Sequence, residues 1–294
     1  MKISFDSKAT KSDAFVAFAT EGGKLLEGGK WADKKTNGAL KRAIDAEHVE
    51  GKKAQTLVIS VPEGLPHRHL VIVGLGKAEE LKETDFEKIG GTVVSLLNAR
   101  KAASAELSFS SEGLALKHLD ANEAASSMAA GAVLSSYRFD KYLTKEPKDK
   151  KPTVKSLSFT VDHPHKAKKL FDEADTLIDG VYLTRDLVSE TPNYLYPESF
   201  ADIIKSELVP LGVKVKTLGM KEIQKLGMGA LEAVGQGSAR EPKLVSMEYY
   251  GGSKKDKTIC FVGKGVTFDT GGISLKRGAG MEDNHIGQLI GFIN

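Results

Sequence analysis

The sequence predicts an α/β fold divided into two domains. Short runs of Val, Ile and other apolar residues, often bounded by glycine, alternate with segments in which apolar residues recur at helical spacing. The chain of 294 residues, 40% hydrophobic and 28% charged, is long enough for one large or two ordinary domains. A charged stretch with two prolines, residues 144–152, interrupts the alternation and is the predicted boundary or exposed loop. We therefore expect an N-terminal α/β domain over residues 1–150 and a second domain over residues 151–294.

The first domain is predicted from apolar runs and two helical segments. The runs are typical of buried strands and cover residues 3–5, 14–19, 56–62 and 69–76. Thr84 and Asp85 offer an N-cap for a helix over residues 86–102, in which apolar residues recur at i, i+4, i+7 and i+8. A second helix over residues 121–136 is rich in small residues, which suit close packing against a sheet. These elements give the first half of the chain the alternation of an α/β domain.

The second domain is predicted to begin with a long connecting helix. Residues 166–190 keep one face apolar over their whole length and are expected to link the two domains. Pro192 and Pro197 end that helix, so the residues between them form an extended or turned connector. A further helix opens at Glu198. Strands are predicted over residues 156–161, 213–218, 244–250 and 257–263.

Composition narrows the classes of function. A net charge of +3, from 42 basic and 39 acidic residues, is too balanced to make nucleic acid or a membrane the expected partner, although the pI near 8.6 leaves weak phosphate binding open. The first residues lack a signal-like apolar run, and no stretch reaches the length of a membrane span. The single cysteine, Cys260, lies in an apolar run, so we expect a buried small hydrophobe in a reducing compartment. A cytoplasmic location follows as the expectation.

Glycine and histidine motifs elsewhere in the chain do not complete known binding patterns. A phosphate-binding Walker loop that ends at Gly263-Lys264 would need glycine at position 258, which is Thr258 here. It would also need Ser or Thr at position 265, which is Gly265 here. The pairs Gly74/Gly76 and Gly235/Gly237 meet glutamate and arginine where a dinucleotide fingerprint needs its third glycine. Two histidine pairs, His67/His69 and His163/His165, could face one side of a strand and bind metal. Both pairs lie beside proline without acidic or thiol residues at ligand spacing, which favours surface histidines.

Residues 263–276, GKGVTFDTGGISLK, carry the strongest functional signal. A predicted strand leads into Lys264 and Asp269, and Gly271-Gly272 and then Lys276 follow. This run resembles the hallmark of the leucyl (cytosol) aminopeptidases, which are two-metal exopeptidases. The segments 182–201 and 225–249 resemble the same family's peptidase domain, and residues 125–142 resemble the end of its N-terminal domain. The resemblance covers residues 1 to about 283 and implies a macro-like N-terminal α/β domain before an α/β peptidase domain with a mixed central sheet.

The resemblance also implies roles for three side chains. The lysine that matches Lys264 ligates one metal as a neutral amine, and the aspartate that matches Asp269 bridges both metals. The lysine that matches Lys276 stays charged, and it would polarise the scissile carbonyl and stabilise the tetrahedral oxyanion. Two divalent ions per subunit, Mn²⁺ or Zn²⁺, are the implied cofactors, and they would activate a bridging water. Peptides with a free amino terminus are the implied substrates.

After Asp283 the sequence leaves the family pattern. The family's next ligand is an aspartate eighteen positions after the bridging one, and here that position is Gly287. No Asp-Ala-Glu-Gly-Arg run follows before Asn294. Three of the five ligands implied by the resemblance therefore have no counterpart. We expect a truncated or frameshifted chain, or an artificial fragment, with little or no activity alone and a tendency to aggregate.

Two classes of function stay open at this point. The first is the aminopeptidase, a homo-hexamer of two-domain chains in the family. The second is a non-catalytic fragment or a DNA-binding accessory protein, in which clusters such as residues 148–152 and 165–169 would contact phosphates.

Overall fold

The computed structural model describes residues 1–8, 11–253, 255 and 257–278. The chain forms two compact units that divide between Asp179 and Gly180. That division falls inside helix α5 (Pro164–Ser189), whose existence and extent confirm the long helix predicted over residues 166–190. The first unit extends past residue 150, the boundary expected from the sequence, because the strand at Ser156–Thr160 lies inside its sheet.

A seven-stranded mixed sheet forms the centre of the first unit. Its strands are β1 (Lys2–Asp6), β2 (Ala14–Thr20), β3 (Lys24–Leu25), β4 (Thr56–Ser60), β5 (His69–Gly76), β6 (Ser104–Ser108) and β7 (Ser156–Thr160). The order along the sheet is β1-β7-β6-β2-β5-β4, with β3 paired to β2. Neighbours from β1 to β5 in this order run parallel, whereas β4 is antiparallel to β5 and β3 is antiparallel to β2. The predicted α/β class is confirmed.

Helices cover both faces of this sheet. They are α1 (Glu27–Lys35), α2 (Ala39–Ala46), α3 (Glu83–Ala99) and α4 (Ala121–Ser135), followed by the start of α5. Phe15 of β2 packs in one core cluster with residues of α1 and α2. Phe18 points to the other face and contacts Phe109, which in turn contacts Phe86 of α3. The two helix pairs therefore lie on opposite faces, and the alternation of side chains along β2 supplies both cores.

Helices α3 and α4 contact each other through their backbones. A methyl group on Gly90 would lie 1.9 Å from the Met128 carbonyl oxygen, and one on Gly131 would lie 2.0 Å from the Glu87 carbonyl oxygen. Glycine inside a helix normally lowers its stability. Here two glycines are required because any side chain would push the helices apart.

The second unit contains shorter elements. They are the end of α5, then α6 (Pro197–Leu208), β8 (Lys214–Leu218), α7 (Met220–Lys225), α8 (Gly229–Gly235) and β9 (Leu244–Glu248). Strands β8 and β9 pair antiparallel. Leu187 and Leu195 are the buried residues of a small cluster that includes Phe200 and Ile203 of α6. Short 3₁₀ turns occur at Ala78–Glu80, Lys148–Lys150 and Val209–Leu211.

Two expectations about burial are wrong. Residues 257–263 form no strand, and Cys260 is exposed together with Ile259, Phe261 and Val262. The reason is that, within the described part of the chain, no strand pairs with this run and no apolar layer covers it. His67 and His69, expected at the surface, are 8% and 9% exposed. His69 begins β5, which has a strand on each side, and the His67 ring packs 5.5 Å from the ring of Phe15.

The fold provides one observation on each of two candidate partners, a membrane and DNA. None of the described helices is long and apolar enough to cross a membrane. Residues 148–151 are exposed at the surface of the first unit. The DNA-binding alternative therefore stays a prediction.

Candidate functional site

The candidate site is a loop in the second unit, residues 263–278, that contains no helix or strand. Turns determine its path. Gly271 and Gly272 have φ angles of 89° and 62°, in the left-handed region that favours glycine. A side chain on Gly271 would lie 2.3 Å from the carbonyl oxygen of Ser274. The backbone N–H of Lys276 donates to the Thr270 carbonyl at 2.8 Å, so the turn at this glycine pair brings Lys276 back beside Thr270.

The turn places Asp269 and Lys276 in contact. Asp269 Oδ2 accepts a hydrogen bond from Lys276 Nζ at 2.9 Å, and Asp269 Oδ1 accepts one from the Gly271 backbone N–H at 2.8 Å. The Asp269 and Lys276 side chains are 41% and 27% exposed. The structure therefore brings together two of the three residues predicted from the sequence, at the surface of the second unit.

Positive charge keeps Asp269 ionised. The hydrogen bond from Lys276 is the largest cause that lowers the Asp269 pKa below 3.8, followed by the Gly271 N–H, and the charges of Lys276 and Lys264 add to it. Lys264 is exposed and acts on the carboxylate as a nearby charge. All three predicted residues thus belong to one electrostatic group with a carboxylate at its centre.

The donor set of this loop supports a metal site only in part. A carboxylate has about four lone-pair positions, so Asp269 retains acceptor capacity beside its two hydrogen bonds. A divalent pair needs further ligands, and no cluster of three or more His, Cys, Asp or Glu side chains suited to a metal ion occurs among the residues that the structure describes. Lys264 and Asp269 alone do not form a complete metal site. Asp283 and Gly287, where the sequence leaves the family pattern, lie outside the described residues.

Backbone groups of the loop complete the geometry, and the sequence analysis did not name them. The bond from the Gly271 N–H to Asp269 Oδ1 is an Asx turn, in which an aspartate side chain accepts from the backbone two residues later. The sequence signal for it was present as Asp-Thr-Gly-Gly. The glycines are therefore needed for the turn that aims the carboxylate as well as for close approach.

The other two segments that resemble the peptidase domain also meet in the second unit. Tyr196 precedes α6, and the Arg240 guanidinium carbon lies 3.7 Å from the centre of its ring. Such a cation–π contact joins the turn around residue 240 to the start of α6. The segments 182–201 and 225–249 are thus packed against each other, as one piece of a domain requires.

The fold and the loop together define the class of this protein. It is an α/β protein of two units, and its second unit carries a loop with Lys264, Asp269 and Lys276 that resembles a peptidase motif. Two sequence profiles of the cytosol aminopeptidase family match this chain. The profile of the family's N-terminal domain matches residues 15–146, and the profile of its catalytic domain matches residues 182–287. The chain belongs to the cytosol aminopeptidase family.

Curated relatives agree with this assignment. A probable cytosol aminopeptidase of Bradyrhizobium sp. (strain BTAi1) is 42% identical over 271 residues, which are 91% of this chain and 52% of the relative. One of Rhizobium etli (strain CIAT 652) is 41% identical over 285 residues, which are 96% of this chain and 56% of the relative. This chain therefore spans about half the length of the curated relatives it matches.

Solved structures share the fold. A lysine-to-glutamate mutant of tomato leucine aminopeptidase matches with a TM-score of 0.76 at 24% identity, over 93% of this chain and 55% of that one. The bottromycin maturation enzyme BotP in complex with Mn matches with a TM-score of 0.69 at 26% identity, over 92% of this chain and 51% of that one. In each case the match again covers about half of the solved chain.

Proposed function

We propose that this chain supplies the N-terminal domain and the first part of the catalytic domain of a metal-dependent aminopeptidase, which hydrolyses the N-terminal residue from unblocked peptides. The observation that carries the proposal is the Asp269–Lys276 pair, held at 2.9 Å on the loop that matches the family's catalytic domain. Metal ligation uses an ionised carboxylate, oxyanion stabilisation uses a cationic donor such as a lysine, and this loop provides both groups.

Each side chain has a distinct role in this proposal. Lys264 and Asp269 would be ligands in a site for two divalent ions, Mn²⁺ or Zn²⁺, and the other three ligands that the family resemblance implies have no counterpart in this sequence. The chemistry that such ions supply when bound is a hydroxide available near neutral pH. Lys276 stays protonated and donates from Nζ to the carbonyl oxygen of the scissile bond. Its hydrogen bond to Asp269 supports this role, because it holds the ammonium group beside the proposed ligand.

We also propose that the 294-residue chain alone has little or no peptidase activity. The described residues offer one carboxylate and one further lysine donor at this loop, and a site of two ions needs more. Peptide substrates and a cytoplasmic location are parts of the same proposal that the family membership suggests. The homo-hexamer is the assembly of full-length family members, and we do not expect this chain to form it. Sedimentation of the purified chain tests this expectation, since a stable hexamer would contradict it.

The experiment has two readouts that separate the parts of the proposal. Hydrolysis of leucyl p-nitroanilide is measured with and without added Mn²⁺ or Zn²⁺, and Mn²⁺ binding is measured by calorimetry. We expect no metal-dependent hydrolysis and weak Mn²⁺ binding that Asp269→Asn removes but Asp149→Asn leaves unchanged. Detectable metal-dependent hydrolysis would overturn the proposed inactivity. Mn²⁺ binding that is equal in Asp269→Asn and the unmodified chain would overturn the ligand role of Asp269.

A further inference from the structure

The first unit contains a cavity that the peptidase assignment does not use. It has a volume of about 820 Å³ and lies where β2, β5 and β6 begin, between α1 and the loop that precedes β5. We call it the amino-end cavity. Six of the side chains that line it are Lys11, Trp31, Lys35, His67, Arg68 and Glu106. Its size falls within the range of cavities that hold small molecules.

Three cations line the amino-end cavity. Lys11, Lys35 and Arg68 are exposed, and none of them forms an ion pair with any residue that the structure describes. The acidic lining residues are engaged elsewhere. Asp13 Oδ2 accepts the Ala103 backbone N–H at 2.7 Å, and Glu106 Oε1 accepts the Thr160 hydroxyl at 3.0 Å. These hydrogen bonds leave both carboxylates charged, but the three cations outnumber the two carboxylates among the lining residues, so the net charge of the lining is positive.

An aromatic surface lies beside these cations. The ring centres of Trp31 and Phe15 are 5.1 Å apart, and Phe15 is 2% exposed, so the buried ring supports the indole from below. Trp31 itself is 38% exposed, and Lys35 Nζ lies 6.0 Å from the centre of its ring. A flat ring could thus stack on the indole while an attached anion reaches Lys35.

The inner wall of the amino-end cavity carries buried polar groups. His67 is 8% exposed, and its Nδ1 has no hydrogen-bond partner in the described part of the chain. Burial lowers the His67 pKa, so the imidazole is neutral at pH 7 and offers one donor and one acceptor. Glu106 is 1% exposed at the same wall. An unpartnered buried polar atom destabilises the protein by itself, which marks this wall as suited to hydrogen bonding.

We propose that the amino-end cavity binds a small anion that carries a planar ring, of the size of a nucleoside monophosphate. The anionic group pairs with Lys11, Lys35 and Arg68, and the ring stacks on Trp31. The polar substituents of the ligand face the wall formed by His67 and Glu106. This site lies in the first unit, so its test does not depend on the peptidase activity.

The tryptophan provides the assay, because Trp31 is the only tryptophan in the chain. The fluorescence of the full chain, excited selectively at tryptophan, is titrated with AMP, with inorganic phosphate and with adenosine. We expect a saturable change with AMP, and affinities at least about tenfold weaker for phosphate and for adenosine, because each probe lacks one half of the interaction. Lys35→Ala and Arg68→Ala should each weaken AMP binding about tenfold, with unchanged circular dichroism.

A matched control is Lys148→Ala, which removes an exposed lysine that does not line the cavity. It should leave AMP binding unchanged. Absence of a saturable AMP response would overturn the proposal. Equal affinity for AMP and phosphate would also overturn it, since it would show a site for anions without recognition of a ring. An equal loss in Lys148→Ala and Lys35→Ala would indicate non-specific attraction by the overall charge and would likewise contradict the site.

Discussion

The contact between α3 and α4 makes a sharp prediction about Gly131. A methyl group there would lie 2.0 Å from the Glu87 carbonyl oxygen and 2.4 Å from the Glu87 carbonyl carbon. Carbon atoms in contact stay about 3.5–4.0 Å apart, so Gly131→Ala must separate the helices by roughly 1 Å. The obstacle is backbone, which cannot rotate away as a side chain can.

The magnitude follows from two opposing effects. Alanine in place of glycine inside a helix stabilises it by about 1 kcal/mol. Overpacking destabilises by about 1–3 kcal/mol, and a backbone clash belongs at the upper end of that range. The expected net change in the free energy of unfolding is a loss of about 2 kcal/mol. With a urea dependence of about 2 kcal/mol per molar, the unfolding midpoint should fall by about 1 M.

Urea unfolding of the full chain, followed by Trp31 fluorescence, measures this change in the unit that contains both helices. The matched control is Gly91→Ala on the facing helix α3, where the nearest atom to the new methyl group is Ser135 Cβ at 3.3 Å. That variant should keep the midpoint within about 0.5 M of the unmodified chain, because a contact at 3.3 Å is relieved by a small shift of the helices. If Gly131→Ala unfolds at the same midpoint as Gly91→Ala, the two helices are not in backbone contact and the reasoning fails.

Three further predictions concern single groups. The Asp269 carboxyl, observed by NMR, should titrate below 3.8, and Lys276→Met should move its titration midpoint back toward that value. Because the folded pKa is lowered, the stabilisation by this pair is present above pH 3.8 and is lost as the pH falls through the folded pKa. A titration midpoint above 3.8 would contradict the pairing. The His67 imidazole should titrate below 6.5, so the first unit should lose stability as the pH falls below 6.5. Titration of His67 at or above 6.5 would show that the ring is not buried. Asp120→Ala should lower the free energy of unfolding by about 1 kcal/mol, because Asp120 Oδ1 accepts hydrogen bonds from the N–H groups of Asn122 and Glu123 at the start of α4. Asp140→Ala is the control, and equal effects of the two substitutions would show that Asp120 does not stabilise the helix as an N-cap.

The sequence predicted the apolar strands at the centre of the first unit. Strand β5 is buried along its whole length, and its continuous apolar run predicted it correctly. The strand β6 was not predicted, because Ser104–Ser108 reads as polar and includes Glu106. Glu106 is buried between β2 and β7 and accepts from Thr160, a partner 54 positions away in the sequence. A buried charge of this kind depends on a neighbour that local pattern cannot reveal.

In the candidate site, contacts between residues close in sequence were predictable, whereas the conformation of the run before the loop was not. The contact between Asp269 and Lys276 depends on a span of seven residues with two glycines at positive φ, so local turn chemistry is sufficient to create it. Residues 257–263 could form a strand only if another strand lay beside them to accept and donate backbone hydrogen bonds. Their apolar composition alone does not supply that neighbouring strand. The loop can therefore hold its carboxylate and lysine together without a strand before it. The geometry of the loop is thus independent of the strand predicted immediately before it, which was wrong, whereas the roles that the family resemblance implies for Lys264, Asp269 and Lys276 stay predictions.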